Sequence, residues 1–218
     1  MNPAGTYLPS TTMASPLIQK YAPTCLQDMV LSEHHKLGPA IKFITAPHAS
    51  AWLLYGNTGI GKTSLAHIMA TAAAGHPKAV IRVDGGDLNP DAVRELSLSF
   101  RATPEFGAFH AIVVDQAESI PEEGQIRLLS VLDKLGPTAW IFTADAVIKN
   151  LNPRLLSRLK IQLMTAQGIA PVATKWLMSI AEREGIPLSE AQASRSVKLS
   201  RNDLRAALQA LDLRSQQP

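Results

Sequence analysis

Gly56-Asn57-Thr58-Gly59-Ile60-Gly61-Lys62-Thr63-Ser64 carries the G-x-x-x-x-G-K-[ST] spacing of a phosphate-binding loop. Its flanks supply the context such a loop needs. Trp52-Leu53-Leu54-Tyr55 is a short apolar run that reads as a buried strand, and Ser64 to Ala74 is a helix-forming stretch closed by Gly75. Strand, loop and helix follow one another without a gap, which separates this motif from a glycine-rich turn that happens to carry a lysine.

Physical chemistry assigns the loop its ligand. Glycines let the backbone curl so that successive N–H groups point inward, and the positive end of the following helix adds to them, so the loop solvates a phosphate chain. Asn57, Thr58, Gly59, Ile60 and Gly61 contribute backbone to that cradle, with Ser64 at its far end. Lys62 adds a charge at the β/γ-phosphates, and the Thr63 hydroxyl is suited to a Mg²⁺ ion bridging them. A nucleoside triphosphate with Mg²⁺ is the expected ligand.

Outward from the loop, strands alternate with helices. A helix is expected over 33–44, a second strand over Ala79 to Val83, and a helix from Pro90 to Leu98 with Asn89 as its cap and Pro90 at its first position. His110 to Asp115 reads as a third strand ending in an acid. A helix over Gly124 to Leu135, a fourth strand over Thr138 to Thr143 and a fifth over Leu159 to Met164 complete the set. This alternation predicts an α/β fold with a parallel five-stranded sheet flanked by helices and ligands at the strand carboxyl ends. Beyond Ala166 only helices are expected, over 170–184, 189–199 and 203–213, with Gly185 and Pro187 as breaks. The division reads as a disordered leader over 1–15, a nucleotide-binding domain over 16–165, a helical lid over 166–213 and a tail over 214–218.

Composition narrows the class of protein. The chain has 218 residues, 46% of them hydrophobic and 18% charged, with a net charge of +3. Such a balance suits a globular α/β protein and permits nucleic-acid contact without demanding it. No apolar run reaches membrane-spanning length, the N-terminus lacks a signal pattern, and Cys25 is the lone cysteine, so a cytoplasmic, reducing location without a membrane partner is expected. The histidines show no metal-ligand spacing; His34-His35 is expected on a surface helix and His67 within the loop helix. Trp52, Trp140 and Trp176 are expected to pack strands and a helix.

Asp115 ends its strand some fifty residues after Lys62, the place of a carboxylate that holds the Mg²⁺ shell. The next residue is Gln116. A glutamine can hydrogen-bond a water but cannot take its proton, which removes general-base help of about 10²–10⁴-fold and predicts slow hydrolysis.

Lys20-Tyr21-Ala22-Pro23, the loop at 56–64, Asp87 with Val93-Arg94, Asp115-Gln116-Ala117-Glu118, Gln125, Thr143-Ala144-Asp145, Ser157-Arg158 and Asp203-Leu204-Arg205 together resemble the ordered landmarks of the AAA+ family. In particular they resemble its DNA-polymerase clamp-loader branch, which includes replication factor C small subunits and the bacterial tau/gamma subunit. The resemblance covers roughly residues 17 to 213 and implies ATP as the nucleotide. It implies that Tyr21 and Pro23 border the adenine and that Thr143 is the sensor 1 group facing the γ-phosphate. It also implies that Arg158 is an arginine finger reaching a neighbouring subunit's ATP, and that Arg205 is the sensor 2 arginine of the lid. Three features depart from the pattern: Ala22 stands where an arginine is usual, Gln116 where a glutamate is usual, and the zinc-binding cysteines of the bacterial type are missing. Members of the branch continue into a C-terminal helical collar, for which a sequence ending at Pro218 is too short.

The resemblance implies an ATPase that assembles with copies of itself or with related AAA+ subunits and acts on DNA or a DNA-bound partner. The competing reading is a non-hydrolysing ATP-binding scaffold or switch, in which Gln116 marks lost turnover. A P-loop metabolite kinase fits less well, because it needs an acceptor pocket and a lid over the phosphates, whereas the helical segment here follows the last strand.

Overall fold

The computed structural model describes residues 16–100, 102–104, 106–145 and 148–215, so the leader expected over 1–15 and the last three residues lie outside it. Chain order is α1 (Pro16–Lys20), α2 (Gly38–Thr45), β1 (Ser50–Gly56), α3 (Lys62–Ala74), β2 (Val80–Asp84), α4 (Pro90–Ser99) and β3 (His110–Asp115). Then come α5 (Glu122–Leu132), β4 (Thr138–Asp145), α6 (Pro153–Leu156), β5 (Lys160–Met164), α7 (Ile169–Arg183), α8 (Glu190–Leu199) and α9 (Leu204–Ser215).

The five strands form one parallel sheet in the order β2-β3-β4-β1-β5. Parallel strands joined by crossover helices are covered on both faces, so their central members need apolar residues at every position. β4 comes close to that demand: Thr138 to Ala144 are all buried, and all of them but Thr138 and Thr143 are apolar. On β1 the faces alternate, Trp52 and Leu54 packing with Phe43 of α2 and Leu65 and Met69 of α3, while Ala51 and Leu53 join Leu128, Trp140 and Phe142 opposite.

Local chemistry explains the helix ends. α3 lays Ala66, Ala70 and Ala73 on the sheet, where small side chains allow close approach, and stops at Gly75, whose φ of 75° suits glycine. α4 begins as expected, with the Asn89 Oδ1 accepting from the Ala92 N–H at 2.9 Å and Pro90 at the first position.

Two differences from expectation lie before the loop. The helix expected over 33–44 starts only at Gly38, because Ser32 to His35 form a turn in which the His35 Nδ1 accepts from the Ser32 N–H at 3.1 Å. His35 is consequently buried rather than on a surface helix, and burial holds its imidazole below the usual histidine range. Further upstream, α1 packs on the C-terminal helices. Leu17 and Val30 are buried in one core with Ile169, Leu177, Ile180, Val197 and Leu208, so the helical part is completed by residues from the start of the described chain.

Candidate nucleotide site

β1 delivers the loop at the carboxyl edge of the sheet. Gly56 has φ 152°, and a Cβ there would lie 1.9 Å from the Met164 carbonyl oxygen of β5, so the first loop position has no room for a side chain. Gly59 and Gly61 have φ 72° and 95°, the left-handed region, and Gly61 leads into α3. The chain therefore turns directly from strand into the amino end of a 13-residue helix, the geometry that aims backbone N–H groups and the helix dipole at an anion.

Lys62 folds back over this loop and is only 9% exposed. Its ammonium donates to the carbonyl oxygens of Gly56 at 3.0 Å and Asn57 at 2.8 Å, and to Asp145 Oδ1 at 2.9 Å. The other Asp145 oxygen accepts from Thr58 Oγ1 at 3.2 Å. The Lys62 hydrogen bond holds the Asp145 carboxyl below the usual aspartate range, with burial opposing it.

Asp115 gathers the second group. Its Oδ1 accepts from Thr63 Oγ1 at 3.0 Å and from Thr143 Oγ1 at 2.8 Å, linking α3, β3 and β4 through one carboxylate oxygen. Its Oδ2 lies 3.4 Å from Arg82 Nη2 on β2. Strand alternation places Thr143 and Asp145 on one face of β4, so that Asp145 meets the loop directly and Thr143 is joined to Thr63 through Asp115. Among the described residues no group of three or more His, Cys, Asp or Glu is arranged to hold a metal ion. Thr63 and Asp115 still fit a Mg²⁺ ion that brings its remaining oxygen ligands on phosphates.

Gln116 directly follows and is exposed, with φ 56° and ψ 54°, a left-handed conformation uncommon outside glycine. Its carbonyl accepts from the Ser119 N–H at 2.9 Å and from Ser119 Oγ at 2.6 Å, which holds the turn without using the amide side chain. Glu118, in the same turn, accepts from the Asp145 N–H at 3.3 Å through Oε1.

The helical part reaches the loop through α9. The Leu204 N–H donates to the Gly59 carbonyl at 3.0 Å, and a Cβ on Gly59 would meet the Asp203 carboxylate at 1.9 Å. Asp203 in turn accepts from the Ala206 N–H at 2.9 Å and caps the helix. Arg205 is thus carried to the loop's border, with its side chain exposed. From the N-terminal side Met29 approaches Gly61, its Cε lying 3.1 Å from where a Cβ would be. Tyr21 donates its hydroxyl to Glu184, which also pairs with Lys20 at 2.7 Å. Pro23 is half-buried in the same segment.

Arg158 is directed elsewhere. Its Nε and Nη2 donate to the two Asp133 oxygens at 2.7 and 3.1 Å, and Nη1 donates to the Arg154 carbonyl at 2.7 Å, so these bonds turn the guanidinium away from its own loop. The structure thus brings Lys62, Thr63, Asp115 and Thr143 together, and it places Arg205 next in the chain to Leu204, whose N–H bonds the loop. Arg82 and Asp145 belong to the same cluster without a role having been read for them. A signal existed for Asp145, which stands two residues after Thr143 on the same strand.

The comparisons with known proteins agree with this geometry. Residues 52–166 match the family model described as ATPase family associated with various cellular activities (AAA). Replication factor C subunit 5 of Mus musculus is 28% identical over 207 residues, covering 90% of this chain and 59% of that protein. The replication factor C small subunit of Aeropyrum pernix is 26% identical over 211 residues, covering 91% and 62%. These relatives bear out the resemblance to the clamp-loader branch, and the chain spans about three-fifths of their length. Among solved structures, the Thermotoga maritima RuvB Holliday junction branch migration motor superposes with a TM-score of 0.69 at 18% identity, covering 88% of this chain and 64% of that one. A DNA polymerase III gamma subunit-related protein from Thermotoga maritima gives 0.60 at 15% identity, covering 82% and 58%. With the loop, the Thr63–Asp115–Thr143 cluster and a matching family model over more than half its length, the chain belongs to the AAA ATPase family.

Proposed function

We propose that this chain is an ATP-binding module of the clamp-loader type that hydrolyses ATP slowly, assembles with copies of itself or related AAA+ subunits, and acts on DNA or a DNA-bound protein. The observation that carries the reading is Asp115 joined to both Thr63 and Thr143 beside a buried Lys62. A metal-holding carboxylate, a metal-holding hydroxyl and a sensor hydroxyl at one point form a set suited to a triphosphate carrying Mg²⁺. The replication factor C relatives support the clamp-loader assignment. No helix among the described residues is long and apolar enough to cross a membrane, and the proposed working place is the cytoplasm.

In this mechanism the amides from Asn57 to Ser64 and the Lys62 ammonium bind and orient the phosphates, while Thr63 and Asp115 hold Mg²⁺, which supplies charge neutralisation. Thr143 responds to the γ-phosphate, and Tyr21 with Pro23 borders the adenine. Arg205, from the helix bonded to Gly59, senses the γ-phosphate from within the subunit, and Arg158 serves the neighbour's site. Gln116 orients a water by hydrogen bonding but takes no proton from it, so turnover is slow.

The test is the mass of the assembly with ATP, with ADP and with neither, each with and without DNA. An ATP-dependent complex with turnover that rises in Gln116→Glu is the expected result. A monomer under every condition would remove the assembly reading, and a wild-type rate already on the order of 1–10 s⁻¹ would show that another group does the work assigned to the missing glutamate.

A further inference from the structure

An ammonium has three N–H bonds to give. All three of Lys62 are placed within the chain, on Gly56 O, Asn57 O and Asp145 Oδ1. A phosphate oxygen that is to reach Lys62 has to take over one of these positions. The two carbonyls belong to the loop that the lysine spans and are fixed by the turn. Asp145 is different on three counts: it is an anion, its side chain is 55% exposed, and it comes from another strand. A half-exposed carboxylate returns to water at small cost, so it is the partner that yields.

The carboxylate also reaches the loop a second time, through Thr58 Oγ1 at 3.2 Å, and its strand end is steadied by Glu118 on the Asp145 N–H. It is therefore built to stand over the loop, and each of its two oxygens faces a donor that lies within the phosphate cradle.

We propose that Asp145 is an internal competitor for the nucleotide's phosphates, a residue that sets the affinity of the loop by holding Lys62 until a more highly charged anion displaces it. This rests on nucleotide binding at the loop. The competition acts on any ligand whose phosphates extend to Lys62, and its size is that of a partly exposed ion pair, a change of about two- to fivefold in affinity.

Asp145→Asn tests it. Asparagine keeps an oxygen for Thr58 but removes the charge facing Lys62. Two measurements on the full chain are needed: ATP affinity by calorimetry, and the thermal midpoint without ATP. A competitor predicts opposite signs, with the midpoint lowered because an ion pair is lost and ATP bound about two- to fivefold more tightly. A residue that only braces the site predicts the same sign for both, a lower midpoint and weaker binding, and that result would overturn the proposal. So would an unchanged affinity. Asp145→Ser provides the same comparison if the asparagine variant does not fold. Wild-type binding with no tightening in either variant rejects the competitor alone, whereas failure of wild type and variants alike to bind ATP at millimolar concentration rejects the nucleotide reading along with it.

Discussion

The rim of the sheet and the helical part are held by different means. At the rim, the loop, Asp115 and Thr143 sit on strand ends whose bodies are buried on both faces, and Val113, Ile141, Leu53 and Trp140 have no exposed surface. The helices α7 to α9 share a separate core with Leu17 and Val30. Among the polar links that join them to the rest within the described residues are Leu204 N–H to Gly59 O, Ser32 Oγ to Gln167 O just before α7, and Glu184 to Lys20 and Tyr21. Geometry at the rim is thus inherited from the core, while each of the polar links that tie the helices to the loop and to the upstream segment is worth about a kcal/mol. A site with one rigid wall and one lightly attached wall is suited to register what is bound between them.

The largest effect is expected at the rigid wall. Lys62→Ala removes the charge aimed at the β/γ-phosphates and should weaken ATP binding at least about tenfold, or 1.4 kcal/mol, when measured by calorimetry. Unchanged affinity would mean that the backbone cradle alone carries the ligand, and the comparison would lose its rigid side.

Arg158→Ala sharpens the same contrast from outside both walls. Because the guanidinium is tied to Asp133 and the Arg154 carbonyl, its loss should leave the ATP affinity of the isolated subunit within about twofold while reducing hydrolysis in an assembly. Mixing Lys62→Ala with Arg158→Ala subunits should restore part of the activity, since the two defects then fall in different composite sites. Failure to complement at any ratio would count against a shared site.

The smallest effect belongs to the lightly attached wall. Hydrogen bonds from Lys20 and then Tyr21 hold the Glu184 carboxyl below the usual glutamate range. A group whose folded value is depressed stabilises above its unfolded value and loses that contribution as pH falls through the folded one. Docking of α1 on the helices should therefore loosen below the ordinary glutamate range, and Tyr21→Phe should flatten this acid dependence slightly. Hydrogen exchange of the α9 amides at two acid pH values measures it; equal slopes in wild type and variant would detach Tyr21 from the docking.

Legibility in the sequence followed the range of the interactions. The strand, loop and helix around Lys62 could be read because one local motif encodes them, and the Asn89-Pro90 start of α4 because a cap and its proline are neighbours. The turn at Ser32 to His35 was missed, since its polar residues read as a solvated helix face; what overrides that reading is the docking of Ser32 Oγ on the Gln167 carbonyl, 135 residues away. α1 is five residues long and owes its existence to packing on α9, which no local propensity announces. Arg82 escaped for a related reason, and Asp145 was legible only as part of Thr143-Ala144-Asp145 and not in its role, because each acquires its partner only when separate strands are laid side by side. Arg158 was legible from its Ser157-Arg158 setting, and only the fold adds Asp133 as its anchor.

The membership of Leu17, Val30 and Tyr21 in the C-terminal core has a consequence for synthesis. Tyr21 and Glu184 are 163 positions apart, so the first described helix emerges from the ribosome long before anything it can pack against exists. The sheet between them has time to form first, and the helical part closes last, across a long loop whose entropy must be overcome in one late step.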